Sequence, residues 1–441
     1  MYRMRRCYLI TGLFVWMVIG SCSSQAQFTA NNQTKLISGV SSNWSGSYII
    51  GSNTYGDVLL IHGGGVLSDA FGYLGYEVSS SNNSVVVADT NSAWSSNPSA
   101  LGVPGLNLYV GYQGAGNTLT ISNAGYVANA TCTVGFGFAS SNNSVLVTGA
   151  STIWSNNGFV YVGYFGAGNS LVISNGAQVI SSGILAGSVG QTQSSSNNSV
   201  VVTGPGSLWN NWGTFSGLTI GNGGPNNRLV ISNNAEVISA TVYVGGLSNR
   251  VRVVDGGVWQ TSVITVGYLQ GSNSVVIDGG TVFATNLLIG FSAPTCDNLV
   301  QLNGGSLIVT NAAANATLEI SSGQLIVKGG VLQVDKLVIT NSCASFVHTG
   351  GTLMIGRMVL DPNTFRVISV TRQGNDMLIT WMMGPGATNT LQATTSGYST
   401  NGFADIFIVT NNTAIGTVTN YLDIGAATNA PARYYRARLV P

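Results

Sequence analysis

The 441-residue sequence has very little charge: only 7% of its residues are Asp, Glu, Lys or Arg, and the formal net charge is +1. A surface this close to neutral gives no electrostatic reason to bind nucleic acid, which requires a dense basic patch. The low charge does not indicate disorder, because 44% of the residues are hydrophobic and can bury a large core. Composition alone therefore favours a secreted structural protein rich in β-structure.

The charge deficit is greatest in the middle of the chain, where no Asp, Glu, Lys, Arg or His occurs between Asp89 and Arg228. Polysaccharide lyases and hydrolases need converging carboxylates, usually with a cation, to move protons or hold calcium. The central segment is therefore not predicted to form a catalytic cleft. Candidate groups remain nearer the two ends, at Asp57, His62, Asp69, Glu77, Asp89, Glu319, Lys328, Asp335, Lys336 and His348. Their wide spacing is typical of solvated corner residues, and His62 is expected to lie outward on a strand face.

Cysteine is also scarce, since only Cys132, Cys296 and Cys343 follow the N-terminal segment. No paired-cysteine or Cys/His spacing indicates zinc. A bridge between Cys296 and Cys343 is compatible with their spacing of about two repeats, but buried thiols that act as small hydrophobes are favoured. No metal, calcium ion or other cofactor is predicted.

The first residues resemble an export signal. Basic residues from Arg3 to Arg6 precede an apolar run from Tyr8 to Gly20, and the small residues before Gln27 predict a signal peptide over residues 1–26. A competing interpretation is a lipobox ending at Cys22, which would then be lipidated and anchor the protein in a membrane. In either case we expect an extracellular or cell-surface protein, and no later segment is long and apolar enough to predict a transmembrane span.

The main feature that is present is a repeat in which two mostly apolar residues precede a glycine. The glycines are Gly51, Gly75, Gly111, Gly135, Gly163, Gly187, Gly221, Gly245, Gly267 and Gly290. Steps of about 24 residues, with longer steps interleaved, are typical of stacked coils that tolerate insertions. Glycine and Asn suit the sharp corners of such coils because they accept positive φ.

Apolar and polar residues alternate with period two within each coil, as in Thr118–Ser122, and this pattern predicts half-buried strands. Trp94, Trp154, Trp209 and Trp259 fall about two steps apart, which places a tryptophan on every second coil. We therefore predict an all-β fold: a right-handed parallel β-helix of about a dozen coils of roughly 24 residues over 48–361. Residues 27–47 are predicted to form an N-terminal cap or linker.

The phrase Val-Gly-Tyr-x-Gly-x-Gly-Asn-x-Leu-x-Ile-Ser-Asn, as at 110–123 and 162–175, resembles the repeat of type V secretion (autotransporter) passengers and PEP-CTERM-associated surface proteins. The resemblance covers about 48–290, with degenerate coils to about 356. It implies an exported β-helix and little about activity. Neither a C-terminal transporter barrel nor a Pro-Glu-Pro motif with an apolar anchor is recognised in the sequence.

Residues 362–441 change character and are predicted to form antiparallel strands at 365–370, 377–383, 390–394, 405–409, 421–424 and 434–440. This pattern resembles a fibronectin III-like β-sandwich with Trp381 in its core. Tyr434, Arg436 and Arg438 share one face of the last strand. They are candidates for contact with a glycan or an acidic partner, although charges that protect an edge strand are the commoner explanation.

An aromatic residue often follows the repeat glycine, at Tyr76, Tyr112, Phe136, Tyr164, Tyr268 and Phe291. Stacked along one corner, these rings could bind sugar, and Tyr112, Tyr164 and Tyr268 are the candidates. A ladder that shields the corner backbone is favoured over a binding strip.

The favoured function is a non-catalytic, secreted or cell-surface scaffold or adhesin. Its expected partners are envelope or extracellular polysaccharide or another surface protein, and the alternative is a polysaccharide-binding or polysaccharide-active β-helix.

Overall fold

A computed structural model describes residues 27–96, 107–181, 188–212, 217–291, 296–340, 343–360, 366–383, 388–395, 402–411, 417–429 and 432–440. The predicted signal peptide with Cys22, and the repeat glycine Gly187, lie outside the described residues. All regular elements of the described residues are β-strands, which confirms the predicted all-β class.

Short strands of at most five residues make up the N-terminal half of the chain. The first of them are β1 (Thr34–Ser38), β2 (Ser41–Asn43), β3 (Ser47–Ile50), β4 (Val58–His62), β5 (Val66–Asp69), β6 (Phe71–Leu74), β7 (Ser84–Ala88), β8 (Ala93–Ser96), β9 (Asn107–Val110), β10 (Thr118–Ser122), β11 (Tyr126–Asn129) and β12 (Thr131–Val134). They are followed by β13 (Ser144–Thr148), β14 (Ile153–Asn156), β15 (Val160–Val162), β16 (Ser170–Ser174), β17 (Gln178–Ser181), β18 (Ser188–Val189), β19 (Ser199–Thr203), β20 (Leu208–Asn211), β21 (Gly217–Ile220) and β22 (Arg228–Ser232).

Later strands are often longer because they continue through a corner. These are β23 (Glu236–Gly245), β24 (Arg250–Val254), β25 (Val258–Tyr268), β26 (Ser274–Ala284), β27 (Asn286–Ile289), β28 (Leu299–Val309), β29 (Thr317–Ile320), β30 (Gly323–Val327), β31 (Val331–Ile339), β32 (Ala344–His348) and β33 (Thr352–Leu360). The C-terminal module contains β34 (Arg366–Gln373), β35 (Asp376–Met383), β36 (Thr388–Thr394), β37 (Ala404–Thr410), β38 (Thr417–Asp423) and β39 (Tyr434–Val440).

Strands β1–β33 form one continuous parallel sheet wound into a solenoid of about 12 turns. Most coils contribute three strands, and each strand pairs in register with its equivalent in the next coil, as β7 does with β10 and β10 with β13. The prediction of a β-solenoid of about a dozen coils is confirmed. The first coil begins at Thr34, within the segment 27–47, and the last coil ends at Leu360.

The core is a set of columns in which equivalent inward side chains stack from coil to coil. Val85, Leu119 and Val145 stack in this way and are almost completely buried. The tryptophan column alternates large and small residues, so that Val127 lies between Trp94 and Trp154. Alternation of this kind fills the interior, because two indoles on adjacent rungs would compete for one space.

A column of buried asparagines runs beside the apolar core. Its members are Asn83, Asn117, Asn143, Asn169, Asn198, Asn227, Asn249, Asn273 and Asn298, each with no exposed surface. The backbone N–H of Asn143 donates to Oδ1 of Asn169 at 2.9 Å, and its side-chain Nδ2 donates to the same oxygen at 3.1 Å. Asn169 repeats both bonds to Asn198, at 2.8 and 3.1 Å. This asparagine ladder satisfies buried amides that would otherwise cost about 1–3 kcal/mol each.

The repeat glycines lie against the ladder. Gly135 has a φ of +77°, and a Cβ there would overlap the side-chain amide of Asn169. Glycine is therefore required both for its conformation and for the space it leaves. In the next-but-one coil, this position is occupied by Gly190, with a φ of +78°, which replaces Gly187 in the predicted series.

The cysteines depart from the prediction. Cys296 and Cys343 form a disulfide with their Cα atoms 5.4 Å apart, so the interpretation of both as buried free thiols is wrong. The spacing of 47 residues allows a bridge but does not require one, so the sequence alone does not identify the disulfide. Cys132 is a buried thiol, as predicted, and burial raises its pKa well above the usual range.

The C-terminal module contains all six predicted strands, in two antiparallel sheets of order β34-β35-β38 and β37-β36-β39. Trp381 is fully buried, as predicted, and meets Phe407 of the other sheet edge-on at 6.0 Å. The module also packs on the last coil: Met382 belongs to the solenoid's buried cluster, and Nη1 of Arg366 donates to the carbonyl of Ala344 at 3.0 Å. The module therefore covers part of a sheet end that would otherwise expose apolar side chains.

We predict that Asn169→Asp lowers the free energy of unfolding by about 3–5 kcal/mol at pH 8. The substituted carboxylate can still accept from Asn143, but it cannot replace the hydrogen bond that Nδ2 of Asn169 donates to Oδ1 of Asn198, and it places a charge in the core. Urea denaturation followed by tryptophan fluorescence measures the change. The matched control is Asn142→Asp, at the neighbouring exposed corner with a φ of +56°, where Asp is tolerated and the effect should stay below about 0.5 kcal/mol. Equal effects at the two positions would contradict the role of the ladder.

Candidate binding surface

The predicted aromatic row lies along one corner of the solenoid. The rings of Tyr76 and Tyr112 stack at 5.2 Å with an interplanar angle of 14°, and those of Tyr112 and Phe136 stack at 5.1 Å and 5°. Phe136 continues the row to Tyr164 at 5.5 Å and 27°. Parallel strands about 4.8 Å apart place equivalent side chains at this separation, so the row follows directly from the register of the coils.

Sequence reasoning missed a second row, formed by the outward residue three positions before the first row. Tyr73 stacks on Tyr109 at 5.1 Å and 8°, and Tyr161 continues the row after Thr133. The two rows meet edge to face, as Tyr109 and Tyr112 do at 5.0 Å. The signal was present in the Tyr-x-x-Tyr spacing, which puts both residues on the outside of the same corner. Burial raises the pKa of Tyr161 to about 12, with a further contribution from Tyr164.

Ring stacking covers part or all of the ring surface that a sugar would need. An aromatic side chain binds a sugar with its flat face, and Tyr112 has one face on Tyr76 and the other on Phe136. Tyr164 has one face on Phe136, and Tyr268 stacks on Phe291 at 6.2 Å while tilting against Tyr243 at 4.8 Å. The geometry fits a stabilising ladder better than a continuous sugar-binding strip.

The other candidate contacts lie in the C-terminal module, on β39. Tyr434 and Arg438 are exposed, and Arg436 is partly buried because its guanidinium lies 4.2 Å from the Phe403 ring centroid and its Nε donates to Gln392 at 2.7 Å. The predicted shared face is present. Arg436 is held by contacts within the module, whereas Tyr434 and Arg438 present more surface to solvent.

Two carboxylates interpreted as solvated corner residues are buried, so that interpretation is wrong for Asp57 and Asp69. Asp57 precedes the asparagine ladder: its N–H donates to Oδ1 of Asn83 at 3.0 Å, and its carboxylate accepts from the N–H of Gln33 at 2.9 Å. Asp69 is 2% exposed and accepts a hydrogen bond from Nε1 of Trp94 at 2.7 Å.

Burial raises the pKa of Asp69 to about 7, although hydrogen bonds from Ser96 and Trp94 oppose the shift. Two coils later Asn129 accepts the equivalent bond from Nε1 of Trp154 at 2.8 Å. Asp69 is therefore a core residue that supports a tryptophan, in a position where an amide serves equally well. The sequence contains this signal, since Asp69 and Asn129 each lie 25 residues before a tryptophan.

The remaining ionisable candidates do not converge. His62 lies at the end of β4, partly exposed as predicted, with its Nδ1 3.9 Å from Oδ2 of Asp89. Asp335 accepts hydrogen bonds from the backbone N–H groups of Asn311 and Ala316 and so organises a corner. Among the described residues, no three His, Cys, Asp or Glu side chains come together in an arrangement that could hold a metal ion.

Comparison with known proteins gives no family: no family model matches the chain, and no curated protein does. Within the described residues, no helix has the length and hydropathy needed to cross a membrane.

We predict that Asp69→Asn removes a pH dependence of stability. The folded-state pKa of about 7 exceeds the ordinary value of 3.8, so the stabilising contribution of this carboxyl is complete below about pH 4 and is lost as the pH rises to 7. Above pH 7 the loss is on the order of 4 kcal/mol. Denaturation midpoints from pH 4 to 8 should fall for the wild type and change less for Asp69→Asn. The exposed Glu77→Gln control should follow the wild type, and an unchanged slope in Asp69→Asn would contradict the assignment.

We predict that Tyr112→Ala lowers stability by about 1–3 kcal/mol, because two stacked pairs are lost. Tyr112→Phe is the matched control and should lie within about 0.5 kcal/mol of the wild type, since it keeps the ring. Thermal denaturation of the three proteins measures the difference. A Tyr112→Ala protein as stable as the wild type would show that the ladder contributes nothing to folding.

Proposed function

We propose that the chain is an exported, non-catalytic rod that acts as a scaffold or adhesin, either secreted or displayed at the cell surface. The observation that carries the proposal is a solenoid of about 12 turns whose interior is filled by apolar columns and the asparagine ladder. At about 4.8 Å per coil, the rod is roughly 60 Å long. A rigid body of this kind separates and presents surfaces without needing an internal cavity.

Export is supported by the sequence alone, through the basic and apolar N-terminal segment. The likeness of the repeat at 110–123 to autotransporter and PEP-CTERM-associated proteins points the same way. The contacts between the C-terminal module and the last coil support a role for this module in covering the end of the rod. The partners that we propose are envelope or extracellular polysaccharide or another surface protein.

The alternative is a polysaccharide-active enzyme, which needs a proton donor and acceptor on one accessible face. Among the described residues, His62 and Asp89 are an acid and a base that lie close together with accessible side chains, 41% and 50% exposed. Their separation of 3.9 Å exceeds a hydrogen bond, and both lie at a corner of the first coils. This pair is the one to substitute in a test of catalysis.

We predict that the purified full-length chain releases no reducing ends or unsaturated sugars from a panel of neutral and acidic polysaccharides. The same panel is incubated with His62→Ala and Asp89→Asn. Release by the wild type that is lost in either variant would overturn the non-catalytic assignment.

Separately, fractionation of the native host should find the protein in the envelope or the medium, and a predominantly cytoplasmic pool would overturn the export assignment.

A further inference from the structure

One recess on the side of the solenoid differs in chemistry from the aromatic rows. It has a volume of about 260 Å³ and is lined by Ser95, Tyr126, Ala128, Asn129, Ser155 and Asn157 among others. Sites for drug-sized ligands are usually about 300–1,000 Å³, so this recess suits a single small ring. Sequence reasoning did not identify it, because its residues belong to different coils.

The floor of the recess is a register column of small residues. Ser95 of β8 pairs with Ala128 of β11, which pairs with Ser155 of β14. Three rungs about 4.8 Å apart give a floor roughly 10 Å long. The methyl side chain of Ala128 leaves space in the middle of the floor, and Ser95 and Ser155 supply hydroxyls on the rungs to either side.

Tyr126 forms one side of the recess, and unlike Tyr112 it is not covered by stacked rings on both faces. Its register neighbours are Ala93 and Ile153, and no aromatic ring of the described residues stacks on it. The side chain is 40% exposed. Because Ala93 is small, the ring is left with a face that a ligand can cover, in contrast to Tyr112, which has a ring on both sides.

The opposite side of the recess is rigid. Asn129 is 5% exposed; its Oδ1 accepts from Trp154 at 2.8 Å and its Nδ2 donates to Asn156 at 2.6 Å. The next coil supplies Asn157, whose N–H donates to the carbonyl of Asn129 at 3.0 Å and whose side chain is exposed. The site is therefore built on paired strands and buried amides, which fix the positions of the lining residues before a ligand binds.

The lining restricts the class of ligand. The described residues that line the recess supply hydroxyl and amide groups and no carboxylate or cation, so they offer nothing to neutralise a charged ligand. A flat aromatic face combined with neutral hydrogen-bonding groups fits a molecule with an apolar face and a rim of hydroxyls. A hexopyranose ring has both.

We propose that this recess binds one neutral hexopyranose unit of a glycan, which stacks on Tyr126 and is hydrogen-bonded by Ser95, Ser155 and Asn157. The proposal names a ligand class for the rod, and it rests on the proposed binding function. It does not depend on the route of export or on the absence of catalysis.

The experiment measures binding of methyl glycosides of glucose, galactose and mannose to the full-length chain by saturation-transfer NMR and titration. At least one neutral glycoside should bind, and methyl glucuronide should bind no better. Tyr126→Ala should weaken that affinity at least tenfold, and Ala128→Trp should abolish binding by filling the floor. Gln178→Ala, two rungs along the same outward column, is the matched control and should stay within about twofold.

Tryptophan fluorescence and denaturation midpoints confirm that each variant is folded. Absence of binding by the wild type, or binding that survives both Tyr126→Ala and Ala128→Trp, would overturn the proposal. Either result would leave the exported, non-catalytic rod intact, since saccharide release and localisation are measured separately. Equal loss in Tyr112→Ala and Tyr126→Ala would instead assign the sugar to the aromatic rows and would also overturn the proposal.

Discussion

The asparagine ladder is the constraint on which the remainder of the solenoid depends. Most ladder oxygens, such as those of Asn169 and Asn198, accept from both the backbone and the side chain of the preceding coil, so neighbouring coils are held in one register over most of the rod. A shift by one residue would turn every inward side chain outward and would also break the ladder. The repeat glycines follow from this constraint, because a Cβ at Gly135 would occupy the space of the Asn169 amide.

The ladder also explains why a chain with so little charge can fill its core with polar groups. Along most of the ladder, neutral amides stack with side-chain donors matched to acceptors, whereas a charged group at the same depth needs a special partner. Asp57 has one, since it lies where the ladder begins and accepts from the backbone of Gln33. Asp69 accepts hydrogen bonds from Ser96 and Trp94, but these do not offset the cost of burying its charge, and its pKa is raised. The central coils lack ionisable residues, and this fits an interior in which the same neutral side chains stack from coil to coil.

The fold could be predicted from the sequence because its signals are periodic. The alternation of apolar and polar residues in Thr118–Ser122 is visible within one strand. The spacing of Trp94 and Trp154 is visible by comparing equivalent strands of two coils. The ladder could not be predicted in this way, because Asn82 and Asn83 are neighbours of the same type with opposite roles. Asn82 takes a φ of +56° at the corner, and Asn83 points into the core. The prediction that Asp69 is a solvated corner residue is wrong for a related reason, because its inward direction depends on strand register and not on its own side chain.

The same register decides which aromatic residues can bind a ligand. A ring that recurs on every coil, as at Tyr76, Tyr112 and Phe136, is covered by its own neighbours, so regular repetition favours stability over recognition. A ring that appears once, such as Tyr126 between Ala93 and Ile153, has no ring of the described residues as a register neighbour. In a solenoid, binding sites are therefore expected where the repeat is interrupted, and the repeat itself provides the rigid frame that holds them.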